Sequence, residues 1–288
     1  MRLAIGTVQF GLPYGIANQS GQVNMRDVRG ILSLARSSGI DTLDTAIAYG
    51  SSEACIGQVG VEEFKVITKL PSLPENIIDV RHWVHDEIQA SLQRLNVDTV
   101  YAVLLHHPHQ LLGSKGKLLY EALMQLKTEG VAQKVGVSIY NPSELDSVMS
   151  MFMVDLVQAP FNLIDQRLQS SGWLQKLDDS GVEVHARSAF LQGLLLMPTI
   201  AIPEKFKHWL PLFDSWHDWL DDNNISAVHA CMGFVRSYSQ IAKIVVGVES
   251  ATQLEELIQA EKLSPMKNWP DISSVDESLI NPSYWNKL

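Results

Sequence analysis

The feature that most constrains this chain is an alternation. Short apolar runs of β character recur between longer stretches of helical period, from the first residues almost to the end. The β runs fall at residues 3–7, 40–44, 65–69, 99–106, 134–138, 156–159, 182–188 and 243–247. They are rich in Val, Ile and Leu on both strand faces, as strands are when both faces of a sheet are covered. Between them, apolar residues recur at helical spacing, as in Val28, Ile31, Leu32 and Ala35, or Val84, Ile88, Leu92 and Leu95. Further helices are expected at 54–59, 75–95, 118–126, 142–150, 173–179, 225–237 and 252–259. About eight strand–helix units in one chain predict a closed (β/α)8 TIM barrel of parallel strands. An open, doubly wound sheet is disfavoured. Its first turn normally carries G-x-G-x-x-G, and Gly6-Thr7-Val8-Gln9-Phe10-Gly11 lacks that spacing. No linker or repeat interrupts the pattern, so residues 1–288 are read as one domain.

Composition narrows the function classes. Hydrophobic residues make up 46% of the chain, enough for a large core, and the net charge of −10 with no basic run argues against nucleic-acid binding. The longest apolar stretch, residues 189–203, is broken by Gln192 and by proline and is too short for a membrane span. Cys55 and Cys231 give neither a disulfide framework nor zinc spacing. No signal-peptide layout precedes the first strand, and a soluble, cytoplasmic protein is expected.

A barrel of this kind does its chemistry at the C-terminal ends of its strands. Asp44 ends the second β run, Lys69 the third and His106 the fourth. Strand alternation puts Ile67 with Lys69, and Ala102 and Leu104 with His106, so all three ionisable groups face one mouth. Tyr49 lies on the loop above Asp44. Each has an ordinary structural explanation singly: a cap, a solvated lysine, a satisfied strand-end histidine, a loop phenol. Four complementary groups at neighbouring strand ends are the signature of a site.

The motifs here resemble those of the aldo-keto reductases, bacterial members in particular. They are Gly39-Ile40-Asp41-Thr42-Leu43-Asp44-Thr45-Ala46 with Tyr49-Gly50-Ser51-Ser52-Glu53; Ile67-Thr68-Lys69; Val97-Asp98 and Leu104-Leu105-His106-His107-Pro108; Gly136-Val137-Ser138; Val157-Gln158-Ala159-Pro160-Phe161-Asn162; and Val246-Gly247. The resemblance implies a nicotinamide-dependent reduction of an aldehyde or ketone, with Asp44, Tyr49, Lys69 and His106 as the catalytic set. Tyr49 is the expected general acid, its pKa lowered by Lys69, with Asp44 holding Lys69 and His106 orienting the carbonyl oxygen. Thr7 and Asp44 are implied cofactor contacts, with Ser138 and Gln158 at the nicotinamide carboxamide and Arg187 beside its ring. Ser188, Leu191 and Gly193 would wrap the pyrophosphate. Gly247, Glu249, Gln253 and Glu256 would grip the adenosine end. Gln9, Phe10, Tyr14 and His107 are expected to line a pocket for a polar, sugar-like carbonyl compound.

Several positions depart from that pattern. Ile139 stands where Asn often follows the serine of Gly-Val-Ser, and Arg187 where an aromatic commonly stacks on the nicotinamide. Glu249 stands where many relatives offer a basic residue to a 2′-phosphate, and Leu257 where Asn is frequent. NADPH is the expectation from family precedent, with NADH the alternative that Glu249 raises. Met1 leads directly into the first strand, without the hairpin that plugs the barrel bottom in many relatives. The tail carrying Trp269 and Trp285 is expected to cover it instead. A non-catalytic, cofactor-sensing barrel is the alternative function. A metal hydrolase using His106, His107 and His109 is disfavoured, because neighbouring strand residues point to opposite faces.

Overall fold

The computed structural model describes residues 1–18, 20–264, 266 and 268–288; Gln19 of the Gly-rich first loop lies outside the described residues. Eight strands form a closed parallel barrel in chain order. They are β1 Leu3–Gly6, β2 Thr42–Asp44, β3 Lys65–Leu70, β4 Val100–Leu105, β5 Ala132–Ser138, β6 Leu156–Pro160, β7 Glu183–Arg187 and β8 Ile241–Gly247. Closure runs through β8 and β1, with Leu3 beside Ile244 and Gly6 beside Gly247. This is the (β/α)8 architecture that the alternation predicts.

The strand composition explains the layering. Val103, Leu105, Val135, Val137 and Val157 pack outward into the large core shared with the helices. Ile67, Ala102, Leu104 and Leu156 form a separate, fully buried cluster inside the barrel. The barrel is therefore a filled core, and function is left to its upper rim.

Helix boundaries follow caps more closely than periodicity. Asn24 caps Met25–Ser37 by accepting from the backbone N–H groups of Arg26 and Asp27. The helix expected from residue 75 instead starts at Val80, because Asp79 accepts from His82 N at 3.0 Å and fixes the first turn there. A helix at Leu210–Asp222 was not expected. It has Pro at its first turn and buries Phe213, Trp216 and Leu220.

Among the described residues, the hydrogen bonds of the tail from Ser274 to Glu277 lie away from the barrel bottom. The tail's backbone and side chains bond to segments that follow β5, β6 and β7, on the upper side. Ser274 N donates to Ile164 O at 2.8 Å, and Trp209 Nε1 donates to Asp276 at 3.1 Å. Asn141 Nδ2 donates to Glu277 at 2.8 Å. Trp285 meets Phe206 edge-on, and Trp269 packs on Trp219 and Phe234 of the outer helices. The lower interior is filled by polar side chains of the strands themselves. Glu183 accepts from Tyr101 Oη at 2.6 Å, bonds His185 Nε2 at 2.6 Å and pairs with Lys134. Asp41 pairs with Lys65 and Lys243 beside them. A tryptophan's bulk suggests a plug, but these charges satisfy one another in place and need no cover.

Candidate active site

At the upper rim, β2 and β3 bring Asp44 and Lys69 together. Lys69 Nζ donates to both Asp44 oxygens, at 2.7 and 2.8 Å, and to Thr45 O at 2.9 Å. Three acceptors for three N–H groups is the geometry of a charged ammonium, and Lys69 is 0% exposed. Burial pushes its pKa down and the Asp44 carboxylate opposes that shift. Gln158 Nε2 on β6 donates to Asp44 Oδ1 at 2.7 Å. Thr7, just past β1, donates its backbone N–H and its hydroxyl to Asp44 O at 2.9 and 3.0 Å.

The loop after Asp44 carries Tyr49 over this pair. Lys69 Nζ lies 5.1 Å from the Tyr49 ring centroid, and the His106 ring meets Tyr49 edge-on at 5.7 Å. Two features hold the loop. Ser52 Oγ donates to Thr7 at 2.7–2.8 Å and lies 3.1 Å from Thr45 Oγ1. The Tyr49-Gly50 turn also packs directly on Gly11, where an added Cβ would stand 1.8 Å from Tyr49 O. Only glycine permits that approach. Behind the loop, buried Glu53 accepts from Thr68, Ser91 and Arg94 at 2.6–2.7 Å, tying the following helix to β3 and to Val80–Leu95.

The electrostatics differ from expectation at one point. The Tyr49 hydroxyl is not acidified. Burial first, and then Asp44, hold it well above the ordinary phenol value, with Arg187 opposing. All three Lys69 N–H groups end on Asp44 and Thr45, so none is left to hydrogen-bond the Tyr49 hydroxyl. His106 is held down to about 3, by burial first, then by Lys69, His107 and Arg187, so its imidazole is neutral at pH 7.

β4 stops at Leu105, one residue short of the expected end, so strand alternation does not govern the histidines beyond it. The His106 and His107 rings stack at 5.5 Å, and His109 follows His107 at 5.9 Å. Among the described residues no three His, Cys, Asp or Glu side chains group to hold a metal ion.

The other expected contacts lie along the ends of β5 to β8. Ser138 and Gln158 are register partners and both are buried. Arg187 ends β7. Its guanidinium lies over the Tyr140 ring at 4.5 Å and donates to Ile139 O at 2.8 Å and Ser188 Oγ at 3.2 Å. The next loop is left-handed at Ser188, Leu191, Gln192 and Gly193, three of them non-glycine. It is held by Asn162 Nδ2, which donates to Ser188 O at 3.0 Å, and by Gln192 Nε2, which donates to Tyr14 Oη at 2.9 Å. Such backbone persists only where the surroundings impose it, commonly at ligand clamps. Gly247 faces the Gln9 amide, which would stand 2.4 Å from an added Cβ, and Gln9 Oε1 is buried without a partner. Glu249 N donates to Gln253 Oε1 at 2.8 Å, and Gln253 N to Ser250 Oγ at 3.2 Å. Glu256 is exposed on the same helix, and Leu257 is buried in the core. The row of strand ends, the unpartnered acceptor and the left-handed loop fit an extended dinucleotide. Among the pocket candidates, Tyr14 and His107 offer accessible surface, but Phe10 is 0% exposed in the core and offers none to a ligand. Gly11, Ser52, Tyr140 and Asn162 are site-builders that their residue types alone do not signal.

At the rim of the (β/α)8 barrel, a buried Asp–Lys pair thus lies beneath a tyrosine and a histidine. The Aldo/keto reductase family profile matches residues 2–277, and the chain belongs to that family. Its members are oxidoreductases that act on carbonyl groups with nicotinamide cofactors. Among relatives, an uncharacterized oxidoreductase, YqkF, of Bacillus subtilis (strain 168) is 24% identical over 250 residues, covering 80% of each chain. An NADH-specific methylglyoxal reductase of Escherichia coli (strain K12) is 25% identical over 217 residues, 67% of this chain and 65% of that one. Matches to mycobacterial aldo-keto reductases span about half of those proteins, 46% in the Mycobacterium sp. (strain MCS) example. The holo form of an aldo-keto reductase from Bacillus halodurans shares the fold, with a TM-score of 0.74 at 20% identity over 92% of this chain and 88% of that one.

Proposed function

We propose that the protein reduces a polar aldehyde or ketone to an alcohol, with Tyr49 as the proton donor and NADH as the preferred cofactor. The observation that carries the reading is the convergence of Tyr49 and neutral His106 over the buried Lys69–Asp44 pair. The nicotinamide would supply the hydride. Ser138 and Gln158 would hold its carboxamide, with Thr7 and Asp44 below. Ser188, Leu191 and Gly193 would take the pyrophosphate.

The chain's own groups account for the proton. A phenol held above its ordinary pKa keeps its proton at neutral pH and gives it up only to a strong base. The alkoxide formed on hydride addition is such a base. The phenolate left behind faces Lys69 and Arg187. Neutral His106 donates a hydrogen bond to the substrate oxygen without competing as an acid. Gln9, Tyr14 and His107 would favour a small polar substrate, as does the activity in the name of the Escherichia coli relative.

The cofactor preference rests on the adenosine end. A helix N-terminus normally attracts phosphate through free N–H groups. Here Ser250 and Gln253 already satisfy those at Gln253 and Glu249, and Glu249 adds a carboxylate. A bare ribose suits that environment better than a 2′-phosphate. Titration by tryptophan fluorescence is expected to give tighter binding of NADH than of NADPH. Clear NADPH preference would overturn this choice, and no binding of either would overturn the reductase reading.

A further inference from the structure

Arg187 is the one departure from the family pattern that places a charge inside the mouth. It is carried on β7 with the same inward parity as Glu183 and His185, and it is half-buried. Its guanidinium is pinned but not neutralised. It lies 4.5 Å from the Tyr140 ring centroid, and its hydrogen-bond partners are the Ile139 carbonyl and the Ser188 hydroxyl. Among the described residues, no carboxylate forms an ion pair with it. Asp44, the acid whose charge acts on the same Tyr49 and Lys69, is paired with Lys69, and Glu144 after β5 gives its Oε1 to the backbone N–H groups of Tyr140 and Asn141 at 2.7 Å each. Lys69, by contrast, is matched by Asp44 at 2.7 Å. The mouth therefore holds one uncompensated cation. Its field reaches Tyr14, Tyr49, Lys69 and His106, all of whose ionisations it shifts in the direction a positive charge requires.

Hydride transfer changes the charge of the ring that gives the hydride. The reduced nicotinamide is neutral. A nicotinamide that gave H⁻ to the carbonyl carbon would become cationic, while Tyr49 would supply the proton to the carbonyl oxygen. A ring bound beside Tyr49 and His106 would lie within the field of the half-buried Arg187.

On the basis of the proposed function, we infer that Arg187 sets a preference for the oxidation state of the cofactor: the site holds the neutral, reduced nicotinamide and repels the cationic, oxidised one. Arg187 thus biases the enzyme toward reduction and speeds departure of the spent cofactor. An aromatic residue at this place would lack that charge.

The test needs no substrate. Intact protein is titrated separately with NADH and NAD⁺, following tryptophan fluorescence. Both nucleotides share the adenosine and pyrophosphate, so the ratio of their Kd values isolates the ring. The wild-type ratio is expected to favour NADH by roughly tenfold or more, and Arg187→Met to shrink it by roughly tenfold, equivalent to about 1.4 kcal/mol. Arg187→Lys, which keeps the charge without the planar fork, should retain most of the preference. Equal binding of the two forms by the wild type, or an unchanged ratio in Arg187→Met, would overturn the inference while leaving the reductase reading intact. No binding of either nucleotide by the wild type would defeat that reading, and this inference with it.

Discussion

His106 shows how one residue's setting fixes what it can do. A free imidazole titrates near 6.5, and this one is held down to about 3, by burial first and then by Lys69. A histidine lowered on folding takes its proton in the unfolded chain first. On acidification from about 6.5 toward about 3, the unfolded state therefore gains protons that the folded state refuses, and stability falls. Urea unfolding of wild type and His106→Gln at several pH values between 7.5 and 4 should show the balance moving toward the variant as pH falls. The rate should behave differently. His106 is already neutral, so kcat/KM should show no step near 6.5 that disappears in His106→Gln. Such a step would mean that a protonated imidazole takes part.

At the scale of elements, the site depends on how a loop is seated. The segment from Asp44 to Ser52 carries Tyr49 out of β2 and back into a helix, and it rests on the helical turn at Gly11. Gly50 has φ of +57°, and an added Cβ there would stand 2.6 Å from Gly11 O, so the contact is tight from both sides. Gly11→Ala cannot be accommodated without moving Tyr49. A displacement of about 1 Å at a catalytic group costs of the order of a hundredfold in rate. Gly11→Ala is expected to lose at least tenfold in kcat and to unfold about 1–3 kcal/mol more easily. Gly30→Ala is the matched control. It lies within Met25–Ser37, where its Cβ would meet only Ala251 at an ordinary 4.0 Å, and it should be neutral or slightly stabilising. Equal rates for Gly11→Ala and wild type would mean that the turn does not position Tyr49.

For the whole molecule, the strand–helix alternation and the strand-end charges were legible because both are periodic properties of local sequence. Asp44, Lys69 and His106 converge because barrel closure brings the ends of β2, β3 and β4 to one rim. Other features were not legible because they depend on distant partners. The tail's tryptophans look like a plug in sequence, yet Trp285 is placed by Phe206 and Asp276 by Trp209. The lowered Tyr49 pKa that the resemblance implies is not met because burial of the phenol, and then the Asp44 carboxylate, raise it, and that burial is set by distant partners. Phe10 is expected at the pocket from its place on the first loop, but the turn at Val8–Gly11 carries it into the core. Gly11 itself gave no signal, because a glycine's role here lies in the backbone across from it.

The central claim is that Tyr49 donates the proton that completes carbonyl reduction. Its most direct test is Tyr49→Phe, which removes one hydroxyl and leaves the ring between Lys69 and His106. Oxidation of NADH by a polar aldehyde should fall by roughly a thousandfold, within the range for loss of a general acid. NADH affinity, read by tryptophan fluorescence, should stay within about twofold, because the hydroxyl is not one of the cofactor contacts. Turnover near the wild-type rate would contradict the account and assign the proton to another group.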